Sequence, residues 1–266
     1  PKGVLNVILP EKTGPAISKM LHDPRIKNLS FTGSTEVGRI LIKEAADQVI
    51  RCSMELGGNA PVIVMDDADI KVAVPQILLA KMRNGGAACT SANRIFVQKG
   101  IAEEFIAAFT KAMDGFVMGR GIDDGVTLGA YVSNKERDKI AELVEEAVKN
   151  GASVRTGGKK PDGPGAFYPA TVMTIDKYNS ILKKEIFGPV APIVIFESED
   201  EGIELCNDTE FGLISYVFSK DTGRAIRIAE QIESGMVAIN RGMISDPAAP
   251  FGGYKQSGLG REGGFD

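Results

Sequence analysis

The stretch NLSFTGSTEVG, residues 28–38, predicts the fold more directly than any other part of the sequence. Residues 28–32 form a run of strand length, and a glycine follows directly. Beyond the glycine, apolar side chains recur at helical spacing and give the next segment one apolar face: Val37, Ile40, Leu41 and Ala45. A strand, a glycine turn and a helix in this order are the repeating unit of an α/β fold.

The same alternation continues along the chain. Further strands are predicted over residues 61–65, 94–98, 172–175, 192–196, 213–218 and 236–240. Helices are predicted after Asp69 with a proline at Pro75, over 102–113, from Ser133 to Gly151, and over 224–232. Ser133 and Glu136 have the spacing of a capping box, and Gly151 can end that helix. The alternation predicts an α/β fold with a largely parallel sheet.

The composition is that of an ordinary folded domain. With 266 residues, 43% hydrophobic and 25% charged, the chain fits one large domain or one and a half smaller ones. The net charge is −4 and no long basic run is present, which argues against nucleic acid and anionic membrane as partners. No stretch approaches the roughly 20 apolar residues of a membrane span.

The cysteine and histidine content limits the possible chemistry. Three scattered cysteines are too few for a disulfide framework, which favours a reducing compartment, and we expect a cytoplasmic protein. With His22 as the single histidine, a zinc site of the usual kind is not expected, and no metal is predicted. The chain begins and ends abruptly, so we expect it to be part of a longer polypeptide.

The segment RNGGAACTSANR, residues 83–94, contains the best candidate nucleophile. Gly85 and Gly86 break the preceding predicted helix, so Cys89 lies in a loop, where backbone N–H groups can favour a thiolate. The alternative is a small buried packing residue, which is the usual role of a free cysteine. Cys52 and Cys206 have no such setting and are expected to be inert core thiols.

The segment MELGGNAPV, residues 54–62, contains the best candidate base. Glu55 stands in an apolar run before two glycines, and burial there would raise the pKa of its carboxyl toward neutrality. The alternatives are a surface glutamate or a structural salt bridge. A hydrolase with a cysteine–histidine dyad would need His22, which lies in a polar connector, so that class is disfavoured.

Three further segments are candidate ligand contacts. The turn from Gly33 to Gly38 can present free backbone N–H groups and Ser34 to a phosphate. An ordinary strand–helix turn explains this segment as well. Its spacing is not the dinucleotide-binding pattern G-x-G-x-x-G. Glu185 can accept hydrogen bonds from ribose hydroxyls, and Phe187 can pack on a flat heterocycle. The glycine-rich loop 249–264 can close over a pocket.

Five motifs in order resemble the aldehyde dehydrogenase superfamily: FTGSTEVG, MELGGNAPV, GGAACTSANR, EIFGPVAP and PFGGYKQSGLGRE. The resemblance covers nearly the whole chain. It implies a parallel-sheet catalytic domain joined to the tail end of a Rossmann-like cofactor domain. It further implies that residues 1–56 end the NAD(P)-binding domain, 57–253 form the catalytic domain, and 254–266 begin a truncated returning segment.

The resemblance also implies roles for individual residues. Cys89 would be the nucleophile, Glu55 the general base, and Phe251 part of the substrate mouth. The cofactor, NAD or NADP, would lie beside residues of two segments: Gly33, Ser34, Thr35, Glu36, Val37, Gly38, Glu185 and Phe187. The substrate would be a small aldehyde, and the parent enzyme a homo-oligomer, either a dimer or a tetramer.

Arg83, six residues before Cys89, and the loop GMISDPAAPFGG resemble the succinate-semialdehyde dehydrogenases within this family. In that group, the arginine and a serine at the position of Ser245 bind the substrate carboxylate, and a guanidinium suits a carboxylate geometrically. Arg83 can instead be a helix C-terminal cation. A broader aldehyde range and a non-catalytic fragment are the alternative functions.

The sequence departs from the family pattern in two ways. The N-terminal part of the family chain is absent, with a lysine that contacts the ribose and an asparagine that donates to the oxyanion. Ala87 stands where glutamine or glutamate is common, two residues before the nucleophile. We therefore expect these 266 residues to be inactive by themselves.

Overall fold

Two sheets organise the protein, and the larger of them is built mainly from parallel strands. The structure, a computed structural model, describes residues 1–264. The smaller sheet has the order β1-β2-β12, with strands β1 (Asn28–Thr32), β2 (Arg51–Glu55) and β12 (Gly258–Leu259). β1 runs parallel to β2, and β12 pairs with the other edge of β2 in the antiparallel direction. The end of the described chain therefore returns to complete the sheet begun near its start.

The larger sheet contains seven strands in the order β10-β9-β3-β4-β7-β6-β5. Their bounds are β3 (Pro61–Val64), β4 (Arg94–Gln98), β5 (Ser153–Thr156), β6 (Thr171–Thr174), β7 (Val190–Phe196), β9 (Ile214–Phe218) and β10 (Met236–Ile239). Only the edge pair of β5 and β6 is antiparallel in this sheet. A short antiparallel pair joins β8 (Phe211–Gly212) to β11 (Tyr254–Lys255). The predicted α/β fold with a largely parallel sheet is thus confirmed.

Helices cover both faces of the larger sheet. The α-helices of residues 1–264 are α1 (Thr13–Leu21), α2 (Thr35–Ala45), α3 (Ile70–Met82), α4 (Ala102–Asp114), α5 (Asn134–Lys149), α6 (Glu199–Asn207) and α7 (Thr222–Ala229). Val62 and Val64 pack with side chains of α3 and α4, whereas Ile63 packs with side chains of α5, α6 and α7. Because successive strand residues point to opposite faces, one apolar run serves two cores.

Local signals fix several boundaries as predicted. The Ser133 hydroxyl accepts a hydrogen bond from Glu136 N at the start of α5, and Gly151 adopts a φ of 91° just beyond its end. Asp69 caps α3, and Pro75 lies inside that helix. The strand β2, the helix α6 and the antiparallel strand β5 were not predicted.

The two sheets use different parts of the chain, which is relevant to the predicted domain boundaries. The smaller sheet uses residues 28–55 and 258–259, and the larger sheet uses strands between residues 61 and 239. The division after residues 56 and 253 stays a prediction, and Phe265 and Asp266 of the returning segment lie outside the described residues. Within residues 1–264, no helix has both the length and the apolar character that crossing a membrane requires.

Candidate active site

Glu55 ends β2 at the centre of the smaller sheet. Its backbone lies opposite Thr32 on one side and Gly258 on the other, and the residue is only 4% exposed. Within the described residues, neither carboxylate oxygen has a hydrogen-bond partner. Burial, reinforced by the charge of Glu262 and opposed by that of Arg261, raises the pKa of Glu55 to about 7. Glu55 is therefore a buried carboxyl that titrates near neutral pH.

The two glycines after Glu55 allow three segments to meet. Gly58 N donates to the Glu185 carboxylate at 2.9 Å. A Cβ atom on Gly58 would lie 2.3 Å from the Cys89 carbonyl oxygen, and one on Gly57 would lie 2.9 Å from a Glu185 oxygen. A side chain at Gly58 would push the Cys89 main chain away, so this glycine is needed for the close approach.

The segment before Cys89 reverses direction on left-handed residues. α3 ends at Met82, and Asn84, Gly85 and Gly86 have φ values of 53°, 62° and 80°. A Cβ atom on Gly86 would lie 2.2 Å from the Gly188 carbonyl oxygen, so this turn packs directly against the segment after Glu185. Cys89 follows in a loop and is half-buried.

The electrostatic environment of Cys89 differs from the prediction. Burial raises the pKa of the Cys89 thiol, and the carboxylates of Glu185 and Glu55 raise it further. The backbone N–H groups of Cys89 and Thr90 act in the predicted direction, but burial outweighs them. The thiol is therefore protonated at rest, and an adjacent base is needed to generate the thiolate.

The other two cysteines have different surroundings. Cys206 is 1% exposed within the core, and burial raises the pKa of its thiol to about 12. Cys52 is half-buried on the smaller sheet, where burial also raises its pKa. Neither pKa is affected by the carboxylates that surround Cys89.

A cavity of about 800 Å³ opens beside these groups, and its walls include Ser34, Glu185 and Phe187. Ser34 caps α2 by accepting from Val37 N at 3.4 Å. Phe187 has a φ of 55°, a left-handed conformation that an aromatic residue seldom adopts and that clusters at ligand sites. Burial chiefly raises the pKa of Glu185, with a contribution from the charge of Glu36. The start of α2 and the Glu185 segment thus face one cavity.

Of the remaining residues of the Gly33–Gly38 turn, Thr35 and Gly38 are buried and the others are exposed. A Cβ atom on Gly33 would lie 2.4 Å from the Phe31 ring, and one on Gly38 would lie 2.5 Å from the Leu56 side chain, so both glycines pack closely against side chains. Val37 is 44% exposed. The Thr35 hydroxyl accepts from Gly57 N at 3.2 Å and donates to the Gln256 carbonyl at 3.2 Å, which ties α2 to the turn after Glu55.

Arg83 and Ser245 line the same small pocket, together with Thr90 and Tyr216. The Arg83 guanidinium donates to the Thr90 hydroxyl at 2.9 Å, one residue beyond Cys89. Phe251 and Cys89 both pack against the core cluster that fills the α3 and α4 side of the larger sheet. The structure therefore brings Arg83 and Ser245 together beside Thr90, whereas Phe251 shares only the larger core cluster with Cys89.

Two residues that the sequence analysis missed hold the site together. The buried Ser257 hydroxyl donates to the Gly57 carbonyl at 2.7 Å and accepts from Gly212 N at 3.0 Å. The Tyr216 hydroxyl donates to the Thr90 carbonyl at 2.7 Å. The glycine-rich loop 249–264 thus braces the strand that carries Glu55, and its closing over a pocket stays a prediction. Nothing in the local pattern of either residue marks this role.

Comparison with known proteins connects this site to one family. A model described as the aldehyde dehydrogenase family matches residues 1–266. The succinate-semialdehyde dehydrogenase of Paenarthrobacter nicotinovorans is 50% identical over 267 residues, which cover 100% of this chain and 59% of that protein. The glutarate-semialdehyde dehydrogenase of Pseudomonas aeruginosa is 45% identical over 264 residues, which cover 99% and 54% of the two chains.

The structural comparison gives the same result. The crystal structure of succinate-semialdehyde dehydrogenase from Burkholderia pseudomallei matches with a TM-score of 0.95 and 44% identity over 99% of this chain and 55% of that one. The chain therefore spans about half the length of the curated relatives it matches, and the fold implied by the resemblance is confirmed. The family match over the whole sequence and these relatives show that the chain belongs to the aldehyde dehydrogenase family.

Proposed function

We propose that the natural polypeptide containing this chain, called the parent protein below, oxidises an aldehyde with NAD or NADP. The observation that carries the proposal is the position of Cys89, whose main chain packs against Gly58, three residues after Glu55 and hydrogen-bonded through its N–H to the Glu185 carboxylate. A nucleophile beside a buried carboxyl with a pKa of about 7 suits acyl chemistry at neutral pH.

In the proposed mechanism, the ionised Glu55 carboxylate takes the proton of the Cys89 thiol and releases it to solvent, and the Cys89 sulfur attacks the aldehyde carbon, forming a thiohemiacetal. The Cys89 backbone N–H can donate to the resulting oxyanion. When bound, the nicotinamide would accept the hydride from the thiohemiacetal carbon, which leaves a thioester on Cys89. The thioester must then be hydrolysed before the enzyme can turn over again.

Glu55 is the proposed base for that hydrolysis. In its ionised form, the carboxylate takes a proton from water as the water oxygen attacks the thioester carbon, and the Cys89 sulfur leaves. Its two oxygens lack hydrogen-bond partners in the described residues, so they are free to accept this proton. The raised pKa makes Glu55 a stronger base than an exposed glutamate while leaving part of it ionised at neutral pH.

The residues present fit a nicotinamide cofactor. A cavity of about 800 Å³ can hold a large part of a dinucleotide, and it is lined by Ser34, Glu185 and Phe187. Glu185 would accept from the nicotinamide ribose, Phe187 would pack near the nicotinamide, and the start of α2 would lie beside the pyrophosphate. The turn from Gly33 to Gly38 would contribute through Ser34 and the free N–H groups of this helix start.

Succinate semialdehyde is the proposed substrate. Arg83 and Ser245 share a pocket next to Thr90, so a carboxylate bound there would hold the aldehyde end of a short substrate toward Cys89. Two of the relatives are named for semialdehydes, succinate and glutarate, which each carry a distal carboxylate. A cytoplasmic homo-oligomer, either dimer or tetramer, completes the proposal.

Labelling of cysteines tests the nucleophile. Limiting iodoacetamide applied to the parent protein should modify Cys89 before Cys52 and Cys206, with activity lost in proportion to Cys89 modification. Excess aldehyde substrate should protect Cys89 but not the other two. Preferential labelling of Cys52 or Cys206 with full retention of activity would refute the assignment, and complete absence of activity in the unlabelled protein would favour a non-catalytic role.

Substrate choice is tested by replacing Arg83 with alanine. The loss of a charge-assisted hydrogen bond, typically about 1.5–3 kcal/mol, should lower kcat/KM for succinate semialdehyde roughly tenfold to a hundredfold. Butanal has no carboxylate, so its kcat/KM should change little. The matched control is Arg227→Ala, because Arg227 is an exposed arginine of α7 that pairs with Glu199 of α6. An equal fall for both aldehydes would make Arg83 structural and favour a broader substrate range.

A further inference from the structure

Asn93 is a buried asparagine whose side chain joins three segments of the candidate active site. It lies four residues after Cys89 and is 3% exposed. Its amide donates to the Lys184 carbonyl at 2.8 Å and to the Asn59 side-chain oxygen. Its own oxygen accepts from Ile186 N at 3.2 Å. The Asn93 side chain therefore forms hydrogen bonds with the main chain immediately before and immediately after Glu185.

Asn59 extends this brace to the strand that carries Glu55. It is 2% exposed and follows the Gly57–Gly58 turn, and its amide donates to the Leu182 carbonyl at 2.8 Å. The buried Arg94 donates to the Asn59 carbonyl at 2.9 Å. Buried hydrogen bonds of this kind have no water to exchange with, so a fully paired network holds its members in one arrangement.

Glu185 needs such external support. The hydrogen bond that the structure gives its carboxylate comes from Gly58 N, on another segment. Two residues later, Phe187 adopts its left-handed conformation, so the chain turns sharply just beyond Glu185. Because the main chain turns so tightly here, the Glu185 side chain keeps a single position at the cavity only if the main chain on both sides of it is fixed.

We propose that Asn93 is a positioning residue that places Glu185 for contact with the cofactor by clamping the main chain on both sides of it. The inference rests on the proposed contact between Glu185 and the nicotinamide ribose. Asn93 touches neither substrate nor cofactor in this proposal, and its whole effect on cofactor binding passes through Glu185.

A double-mutant cycle tests this dependence in the parent protein. The Kd of NADH, or of NADPH if wild type binds it more tightly, is measured by fluorescence titration. The proteins are wild type, Asn93→Ser, Glu185→Ala and the double variant. We expect each single substitution to weaken binding about tenfold, and the double variant to bind as Glu185→Ala does. A side chain that stabilises the fold without acting through Glu185 would weaken binding equally in both backgrounds.

Asn179 provides the matched control, because it is also a buried asparagine that donates to two carbonyls and accepts one backbone N–H. Asn179→Ser should lower the Tm about as much as Asn93→Ser while leaving the Kd unchanged. Where Asn93→Ser fails to fold, Asn93→Asp replaces it, since this residue keeps the shape and the acceptor for Ile186 N but loses both donors.

The outcomes separate this inference from the function on which it rests. An unchanged Kd for Glu185→Ala would overturn the cofactor role of Glu185, and the positioning role with it. Weakening by Glu185→Ala, combined with an unchanged Kd for Asn93→Ser or with an additive double variant, would overturn the positioning role alone. If Asn93→Ser weakens cofactor binding in wild type but not in Glu185→Ala, the positioning role is supported.

Discussion

Replacing Glu55 with glutamine removes the buried carboxyl while keeping its shape, and it should block hydrolysis of the thioester. In the parent protein, the variant should still form about one equivalent of NADH or NADPH per site in a first burst. Steady-state turnover should then fall on the order of a hundredfold or more, because the positioned base is gone. Rapid-mixing absorbance measurements at 340 nm separate the burst from the steady state.

The pH dependence of wild-type turnover follows from the same residue. With a pKa of about 7, Glu55 is ionised in about one-tenth of molecules at pH 6 and about nine-tenths at pH 8. Because the base acts in its ionised form, kcat should rise roughly tenfold between these values when hydrolysis limits the rate. The Glu55→Gln variant should lose this rise.

Measuring the stability of Glu55→Gln separates a loss of turnover from a loss of folding. Burial raises the pKa of Glu55 in the folded state, so its stabilising contribution is present below the unfolded pKa and lost as the pH rises through about 7. Glutamine carries no charge, so the variant should be more stable than wild type at pH 8, by up to about 3 kcal/mol. Wild-type turnover in a folded Glu55→Gln variant would refute the role of Glu55.

Three further substitutions test other parts of the site. Glu262→Gln removes a charge that raises the pKa of Glu55, so the rise of kcat with pH should move to lower pH in the same rate assay. Gly58→Ala should abolish turnover, because its Cβ would lie 2.3 Å from the Cys89 carbonyl oxygen, whereas Gly14→Ala, with nothing within 4 Å, should leave kcat unchanged. Lys81 is fully buried without a partner in the described residues, and burial lowers its pKa to about 7. Lys81→Met should therefore raise the unfolding free energy by about 1–4 kcal/mol in denaturant titrations, and this gain should shrink as the pH rises toward 10.

The elements that the sequence predicted are those with a strong local signal. Strands β3 and β4 are apolar runs because both of their faces are buried, and α5 has a capping serine and a terminating glycine. Strand β2 was missed because only Met54 and Glu55 of its residues are buried, and its pairing with β1 and β12 supplies the missing stabilisation. Helix α6 buries few apolar side chains, so its helical period is weak.

The same distinction applies to the candidate site. Glycine pairs stand close to Cys89 and Glu55 in the sequence. Gly58 and Gly86 allow main-chain segments to approach closely, and such glycines can be recognised in a short stretch of sequence. Ser257, Tyr216 and Asn93 act through hydrogen bonds to residues 200, 126 and 93 positions away, which no local pattern encodes. The pKa of Cys89 likewise depends on how deeply the folded chain buries it, so the sequence suggested a lowered pKa where burial raises it.

The bond between Ser257 and Gly57 also determines when the site can form during protein synthesis. The two residues are 200 positions apart, and at roughly 5–20 residues per second a ribosome needs roughly 10–40 s to cover that interval. Until then, strand β2 lacks the neighbour that β12 provides, and the Glu55 turn lacks its brace. Cys89 is therefore synthesised long before Glu55 is fixed, so the arrangement of the two residues is complete only when nearly all of these residues have left the ribosome.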